Sequence, residues 1–512
     1  MLLFACHAKE QQHRVIFIGL DGGDWQLLDR YMSDGTMPNL RKLVEKGQRS
    51  NPVTQQPPLS PLVWTTMMTG VSPLEHRILD FTRFNPVTHA REPITSDERA
   101  VPAIWNMATL QKKRADVFGM WATYPAESID GTIVSDRLFA FQFAEPQPPA
   151  GAVWPQSDEA HAKQALAAAI ARHGSEPNEQ LRRILIETET IRHLSLDIIA
   201  RDKPDVAIVY FQGTDAIGHL FASTFEQHRD TIRHYFASID SSLGDYATLA
   251  DTMHADLVIA SDHGFAWFEG QPKVSSTAVE TAGQWHRENG IYLHVGEGSV
   301  AAPVRVDQIC NTLLTLAGMP PADQFDYRRA YVRAQTSTDT RGASEQIEQL
   351  RALGYLSGGD NKTNGASTRT ASSFNNEGLI LKQSGRVGDA AMAFASALEV
   401  DPASASASFN LSELLKSKGP DAAIELLTRL HDAKPVSELL LLRGRYKLAK
   451  HDCRGALDDF RASHIESAIA FASIGTAEAC VGNREGAVTA LKRSLALDPN
   501  QAPVREFLRS LQ

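Results

Sequence analysis

The stretch Val258-Ile259-Ala260-Ser261-Asp262-His263-Gly264-Phe265 decides how the chain reads. A short apolar, β-branched run stops abruptly at Asp-His-Gly. That pattern predicts a buried strand delivering two metal-type ligands at its carboxyl end. In open α/β sheets, that edge is where ligands bind. Two other runs end alike. Val15-Ile16-Phe17-Ile18-Gly19-Leu20 stops at Asp21-Gly22-Gly23, and Val206-Ala207-Ile208-Val209-Tyr210-Phe211 leads through Gln212-Gly213-Thr214 to Asp215 and His219. Three strands ending in Asp and His groups are the mark of a site.

Outward from these runs, Arg14 to about Arg333 alternates strand-like segments with amphipathic helical ones. This predicts a mostly parallel sheet covered by helices on both faces. Met37-Pro38-Asn39-Leu40 opens a helix, and Ser60 before Pro61 suits an N-cap with proline at the first helical position. A helix is expected from Ala103 to Lys112, a strand over Asp116 to Met120, and a proline-rich loop from Phe141 to Pro155. Helical periodicity from about Asp158 to Ala200 reads either as a cap over the site or as helices packed on the sheet. A long helix from about Glu226 to Leu249 leads into the opening strand.

Near Ala334 the composition changes. Gln335 to Asn375 is rich in Ser, Thr, Gly and Asn around one helical island, Glu345 to Leu353, which reads as a linker with a docking helix. Beyond it Ala391, Ala423, Ala456 and Ala487 recur 32, 33 and 31 residues apart. Gly385, Gly419 and Gly482 mark inter-helix turns, and Pro402, Pro435 and Pro499 mark repeat ends. The period resembles that of tetratricopeptide repeats, about four of them, closed by a capping helix from Pro503 to Leu511. The expected domains are therefore 14–335, a linker over 336–375, and helical repeats over 376–512.

The bulk numbers set limits. With 512 residues, 43% hydrophobic and 22% charged, the chain has the size and composition for two or more globular domains. A formal net charge of -10 and the lack of a dense Lys/Arg run argue against nucleic-acid binding. Cys6, Cys310, Cys453 and Cys480 form no CxxC pair and predict neither a disulfide framework nor a cysteine zinc site. No apolar run approaches the roughly 20 residues that span a bilayer. Leu3-Phe4-Ala5-Cys6 resembles the lipobox of bacterial lipoproteins, which would imply a periplasmic or membrane-anchored protein; an ordinary terminus, and a cytoplasmic protein, is the other reading.

Two more residues join the strand-end groups: His286, just before the strand Ile291-Tyr292-Leu293, and Ser60. Four separated motifs stand in order: Leu-Asp-Gly-Gly, Ser-Pro-x-x-Trp-x-x-x-x-Thr-Gly, Thr-Asp-x-x-Gly-His and Ser-Asp-His-Gly. Together they resemble the alkaline phosphatase superfamily, most closely its nucleotide pyrophosphatase/phosphodiesterase branch, over Arg14 to about Ala334. The resemblance implies an alkaline-phosphatase-like sheet sandwiched by helices. It also implies one metal on Asp21, Asp262 and His263 with Ser60 as nucleophile, a second on Asp215, His219 and His286, and zinc in both places. The donor chemistry by itself suits zinc or manganese. Related phosphodiesterases mostly carry threonine followed by Phe-Pro-Asn here, whereas Val63 stands at the asparagine position. Sulfatases require an arginine that the segment around Trp64 lacks. Thr65 and Thr66 are rival hydroxyls, His76 a neighbour of the site, and Asp24 and His294 structural extras.

The expected function is a metal-dependent hydrolase of phosphate esters, a phosphodiesterase or phosphatase, acting through a phosphoserine. The repeats are expected to bind a protein or peptide and to stay out of the chemistry. The competing reading is a scaffold that binds its partner through the repeats and carries an inactive head.

Overall fold

The computed structural model describes residues 13–141, 147–276, 282–356 and 367–512. The chain forms two compact units, Met1–Asn364 and Gly365–Gln512. The lipobox stretch ending at Cys6 lies outside the described residues.

The first unit is built on an eight-stranded sheet. Its order from one edge is Gln48–Ser50, Tyr292–Val295, Asp256–Ala260, Val15–Leu20, Val206–Phe211, Ala115–Phe118, Gly131–Val134 and Val153–Trp154. The five central strands run parallel, and antiparallel strands close the two edges. Alternation along the strands divides the core. Ile16, Ile18, Leu20, Val209 and Ile259 enter one apolar layer, while Val15, Phe17, Ile208, Tyr210 and Val258 enter the other. A sheet buried on both faces explains why these strands read as unbroken apolar runs.

The segment between two core strands is two helices, Glu159–His173 and Glu179–Asp202. Ala162, Leu166, Ile191, Leu194 and Ile198 bury into the same layer as the strand residues, so the pair packs on the sheet. The expected Glu226 helix spans Phe225–Met253, and Val153–Trp154 adds a short edge strand inside the expected loop. Ser60 is the first residue of its helix, Ser60–Thr69, not its cap. Its side chain makes no capping bond.

The helical island of the expected linker is the Ala343–Ala352 helix. Ile347 and Leu350 bury into one layer of the first unit and Leu353 into the other. The backbone before it is laced down as well. Thr336 Oγ1 donates to Asp97 Oδ2 (2.6 Å), Asn85 Nδ2 donates to the Ser337 carbonyl (3.1 Å), and the Tyr124 hydroxyl meets Ser337 Oγ (2.9 Å).

The second unit is all helix. Four hairpins follow one another: Ala371–Gln383 with Val387–Val400, Ala405–Lys416 with Pro420–Ala433, Ser437–Ala449 with Cys453–Ala462, and Ala468–Cys480 with Arg484–Leu497. Ala502–Leu511 closes the array. Ala391, Ala423, Ala456 and Ala487 each lie early in the second helix of a hairpin and are fully buried. Their partners are small too. A Cβ on Gly444 would lie 2.5 Å from the Phe460 ring, and one on Gly475 would lie 2.7 Å from the Leu491 side chain. Close helix approach is thus fixed by residues with no side chain to spare. Cys453 and Cys480 form a disulfide, with Cα atoms 5.8 Å apart. This corrects the expectation drawn from cysteine spacing: the start of one helix and the end of its antiparallel neighbour meet in space without any local pattern. Among the described residues, no helix is long and apolar enough to cross a membrane.

Candidate active site

The predicted strand ends meet at one edge of the sheet. Gly19 pairs with Ala260 on one side and with Tyr210 on the other, so the residues just beyond these pairs emerge together. Asp21 follows the first strand, and Asp262 and His263 follow the last. Asp215 stands in the first turn of the Gly213–Phe221 helix, with His219 one turn on and on the same face. His286 arrives on the two-residue strand His286–Arg287, which pairs antiparallel with Gly264–Phe265. Ser60 Oγ lies 3.3 Å from Asp21 Oδ1. All seven sequence-predicted residues are therefore in one place.

Gly22 shows why the turn after the first strand needs glycine. Its φ is +60°, and a Cβ there would lie 2.8 Å from Asp215 Oδ1. Its N–H donates to Asp262 Oδ1 (3.3 Å), tying two of the strand ends together.

Two groups of donors result. In one, His263 Nε2 is 3.3 Å from Asp262 Oδ2 and 3.5 Å from Asp21 Oδ1, with Ser60 beside it. In the other, His219 Nε2 is 3.1 Å from His286 Nε2 and 3.3 Å from Asp215 Oδ2, and His286 Nε2 is 3.6 Å from Asp215 Oδ1. Asp215 stands where the groups join, since its carboxylate also falls within reach of Asp21 and His263. The His263 and His286 rings stack at 3.6 Å between centroids. Asp215, His219 and His286 converge closely enough to hold a metal ion, and so do Asp21, Asp215 and His263; Asp262 adjoins the second set through His263.

The histidines are oriented identically. Nδ1 of His219 meets the Ser276 carbonyl (3.2 Å), that of His286 the Pro58 carbonyl (2.6 Å), and that of His263 the Gly264 carbonyl (3.1 Å). A carbonyl only accepts, so each Nδ1 carries a proton and each Nε2 is turned inward toward the carboxylates. Burial, followed by the nearby His263, holds His286 well below the usual histidine range, which keeps it neutral. Burial pushes the Asp21 carboxyl well up, helped by Asp262 and Asp215. Burial also raises Asp262, against the pull of His263. Asp215 goes the other way: burial pushes it up, but His219 and His286 outweigh that and hold it low. Three buried acceptor or lone-pair atoms, Asp215 Oδ1, Asp262 Oδ2 and His263 Nε2, have no hydrogen-bond partner. Buried atoms of this kind ordinarily find one. Inward imidazole nitrogens, crowded carboxylates and partnerless acceptors fit divalent cations.

Several neighbours escaped the sequence reading. Tyr210 donates its hydroxyl to Asp21 Oδ2 and accepts from Trp121 Nε1 (2.8 Å). Thr214 Oγ1 donates to the Asp21 carbonyl (2.5 Å). Tyr355 is the least expected. Its hydroxyl bonds to Asp215 Oδ2 and lies 3.0 Å from His219 Nε2 and 3.5 Å from His286 Nε2. Tyr210 lies on the Val206–Phe211 strand and Thr214 directly precedes Asp215. Tyr355 had no signal at all.

The other candidates fall into structural places. Thr65 Oγ1 donates to the Pro61 carbonyl, and Thr66 Oγ1 meets Gln55 and His76. Both rival hydroxyls are thus committed elsewhere. Burial takes His76 down to about 3, so it is a neutral packing histidine. Asp24 caps a helix at Gln26 and pairs with Arg287, and His294 pairs with Asp256. Trp64 is fully buried, edge-on to Tyr210.

Sheet topology and donors define an α/β domain whose strand ends carry Asp/His groups able to hold metal ions beside a serine. The model of the type I phosphodiesterase / nucleotide pyrophosphatase family matches residues 15–341, and the chain belongs to that family. Comparison with curated proteins finds no match. Among solved structures the chain is similar to the MamA protein, at 17% identity over 28% of this chain and 80% of that one, with a TM-score of 0.22. It is also similar to YrrB, titled a TPR protein with an unusual peptide-binding site, at 21% identity over 27% and 74%, TM-score 0.21.

Proposed function

We propose that the first unit is a two-metal hydrolase of phosphate esters that works through a phosphoserine at Ser60. One observation carries the reading. The Nε2 atoms of His219 and His286 face each other at 3.1 Å while both Nδ1 protons are committed to carbonyls. With Asp215 3.3 and 3.6 Å from them, the two nitrogens converge with a carboxylate on one point, as the donors of a divalent cation do. Asp215, His219 and His286 would hold one ion, and Asp21, Asp262 and His263 the other. Zinc or manganese suits these donors. When bound, such ions neutralise charge on a phosphoryl group and lower the pKa of a coordinated hydroxyl.

The chain's own residues supply the rest. Ser60 Oγ forms a bond to phosphorus as the bond to the leaving oxygen breaks, and the alcohol departs with a proton. Water then cleaves the serine ester, releasing phosphate from a monoester or a monoester from a diester. Asp21 accepts from the Tyr210 hydroxyl, which holds one carboxylate oxygen and leaves the other facing Ser60. Val63 is fully buried, so the substrate finds no side-chain amide at that position. The complete donor set supports an active head over a vestigial one. The repeats would present the protein-binding surface, with Phe409 and Ile469 standing exposed on it.

The test is a zinc-loaded assay of 4-nitrophenyl phosphate and bis(4-nitrophenyl) phosphate with Ser60→Ala as control. Hydrolysis of one of them is expected, with kcat/KM falling at least about a thousandfold in Ser60→Ala. An unaffected rate would overturn the nucleophile assignment.

A further inference from the structure

The Tyr355 hydroxyl stands as a fourth possible donor beside Asp215, His219 and His286. With Asp215 and the Nε2 atoms of His219 and His286 it makes contacts of 3.0 Å and 3.5 Å plus the Asp215 bond, while the other donors stand 3.1, 3.3 and 3.6 Å apart. Donors about 2.0–2.1 Å from a tetrahedral zinc lie roughly 3.3 Å from one another. The phenol oxygen stands near that spacing from both histidine nitrogens, and its hydrogen bond to Asp215 Oδ2 would give way as an ion took both oxygens. The fourth position is the one a catalytic site keeps open for water or substrate, whereas a structural site fills it with a protein ligand.

The residue is placed there by more than its hydroxyl. Its ring packs against Phe81, centroids 4.5 Å apart, and edge-on to His219 at 4.9 Å. Gly354, at φ +82°, turns the chain out of the Ala343–Ala352 helix, and the Tyr355 N–H bonds back to the Leu350 carbonyl (2.9 Å). Leu353 and Leu356, on either side, are buried. Gln346, Gln349, Leu350 and Leu353 of the same segment lie over Gln212 and Ala216, which flank the Asp215 helix turn. Ser60, Asp215 and His219 are no more than 2% exposed.

We infer that Tyr355 is a self-ligand: it takes the fourth position of the Asp215–His219–His286 ion in the resting protein and must leave before a phosphoryl oxygen can bind. The helix Ala343–Ala352 and its turn are then a tethered plug, on the stretch of chain that precedes the repeat unit. The inference rests on the two-metal reading of the site.

The test titrates chelator-stripped full-length chain with Co²⁺ and follows the absorption of metal-bound tyrosine. In the wild type a tyrosine–metal band should grow as the second equivalent binds, and inorganic phosphate should bleach it. Tyr355→Phe should bind both equivalents without the band, and its zinc form should gain at least about tenfold in kcat/KM on 4-nitrophenyl phosphate. Two bound equivalents with no band in the wild type, or a band kept in Tyr355→Phe, would overturn the self-ligand and leave the two-metal reading standing. A band that phosphate cannot bleach, or a Tyr355→Phe enzyme that is slower, would overturn the plug. No cobalt binding would overturn the two-metal reading itself. The wild-type titration decides the matter even if the variant folds poorly.

Discussion

Buried carboxyls in this protein divide by what faces them. Around the site, inward histidine nitrogens and crowding of Asp21, Asp215 and Asp262 leave a demand for cations. Asp116, on a central strand, has a different fate. It is fully buried, it accepts from the Thr132 N–H at 3.0 Å, and its Oδ2 has no partner. Burial lifts its carboxyl to about 7, with Arg114 pulling back. A carboxyl whose folded pKa lies above the unfolded value, about 4, adds stability that is complete below that value and lost as pH rises through the folded pKa. The melting temperature should therefore fall between about pH 4 and pH 7, and Asp116→Asn should flatten that fall. An unchanged slope in thermal scans of the variant would mean Asp116 is already ionised in the native state.

Elements were legible where a pattern is local. The unbroken Val/Ile runs ending in Asp or His mark central strands, because both faces of such a strand are buried. The recurring alanines mark the repeats because each lies where a second helix must approach the first. Legibility stopped where a contact joins distant residues. Nothing local distinguishes Cys453 and Cys480 from free thiols, and a Gly-Tyr-Leu after a short helix does not say which pocket the tyrosine enters. Ser-Pro commonly opens a helix and so suggests a cap at Ser60, but its hydroxyl is turned to Asp21. Helix approach makes its own prediction. Gly444→Val should lower repeat-unit stability by about 1–3 kcal/mol through the clash with Phe460. Gly388→Ala, with nothing within 4 Å of its Cβ, should raise it by about 0.5–1 kcal/mol. Equal effects in urea unfolding would contradict the packing account.

At the scale of the molecule, the chain joins a phosphodiesterase-family unit to a helical-repeat unit through a segment that belongs structurally to the first. The sequence placed that boundary from composition, and composition cannot register that Ile347, Leu350, Leu353 and Leu356 are buried. Six side chains from distant parts of the chain are proposed to build a centre for two metal ions beside Ser60. Zinc counted by inductively coupled plasma mass spectrometry on the loaded, desalted full chain tests it most directly. About two ions per chain are expected, falling to about one in His219→Ala and about one in His263→Ala. A wild-type content near zero, or a full count retained in both variants, would contradict it.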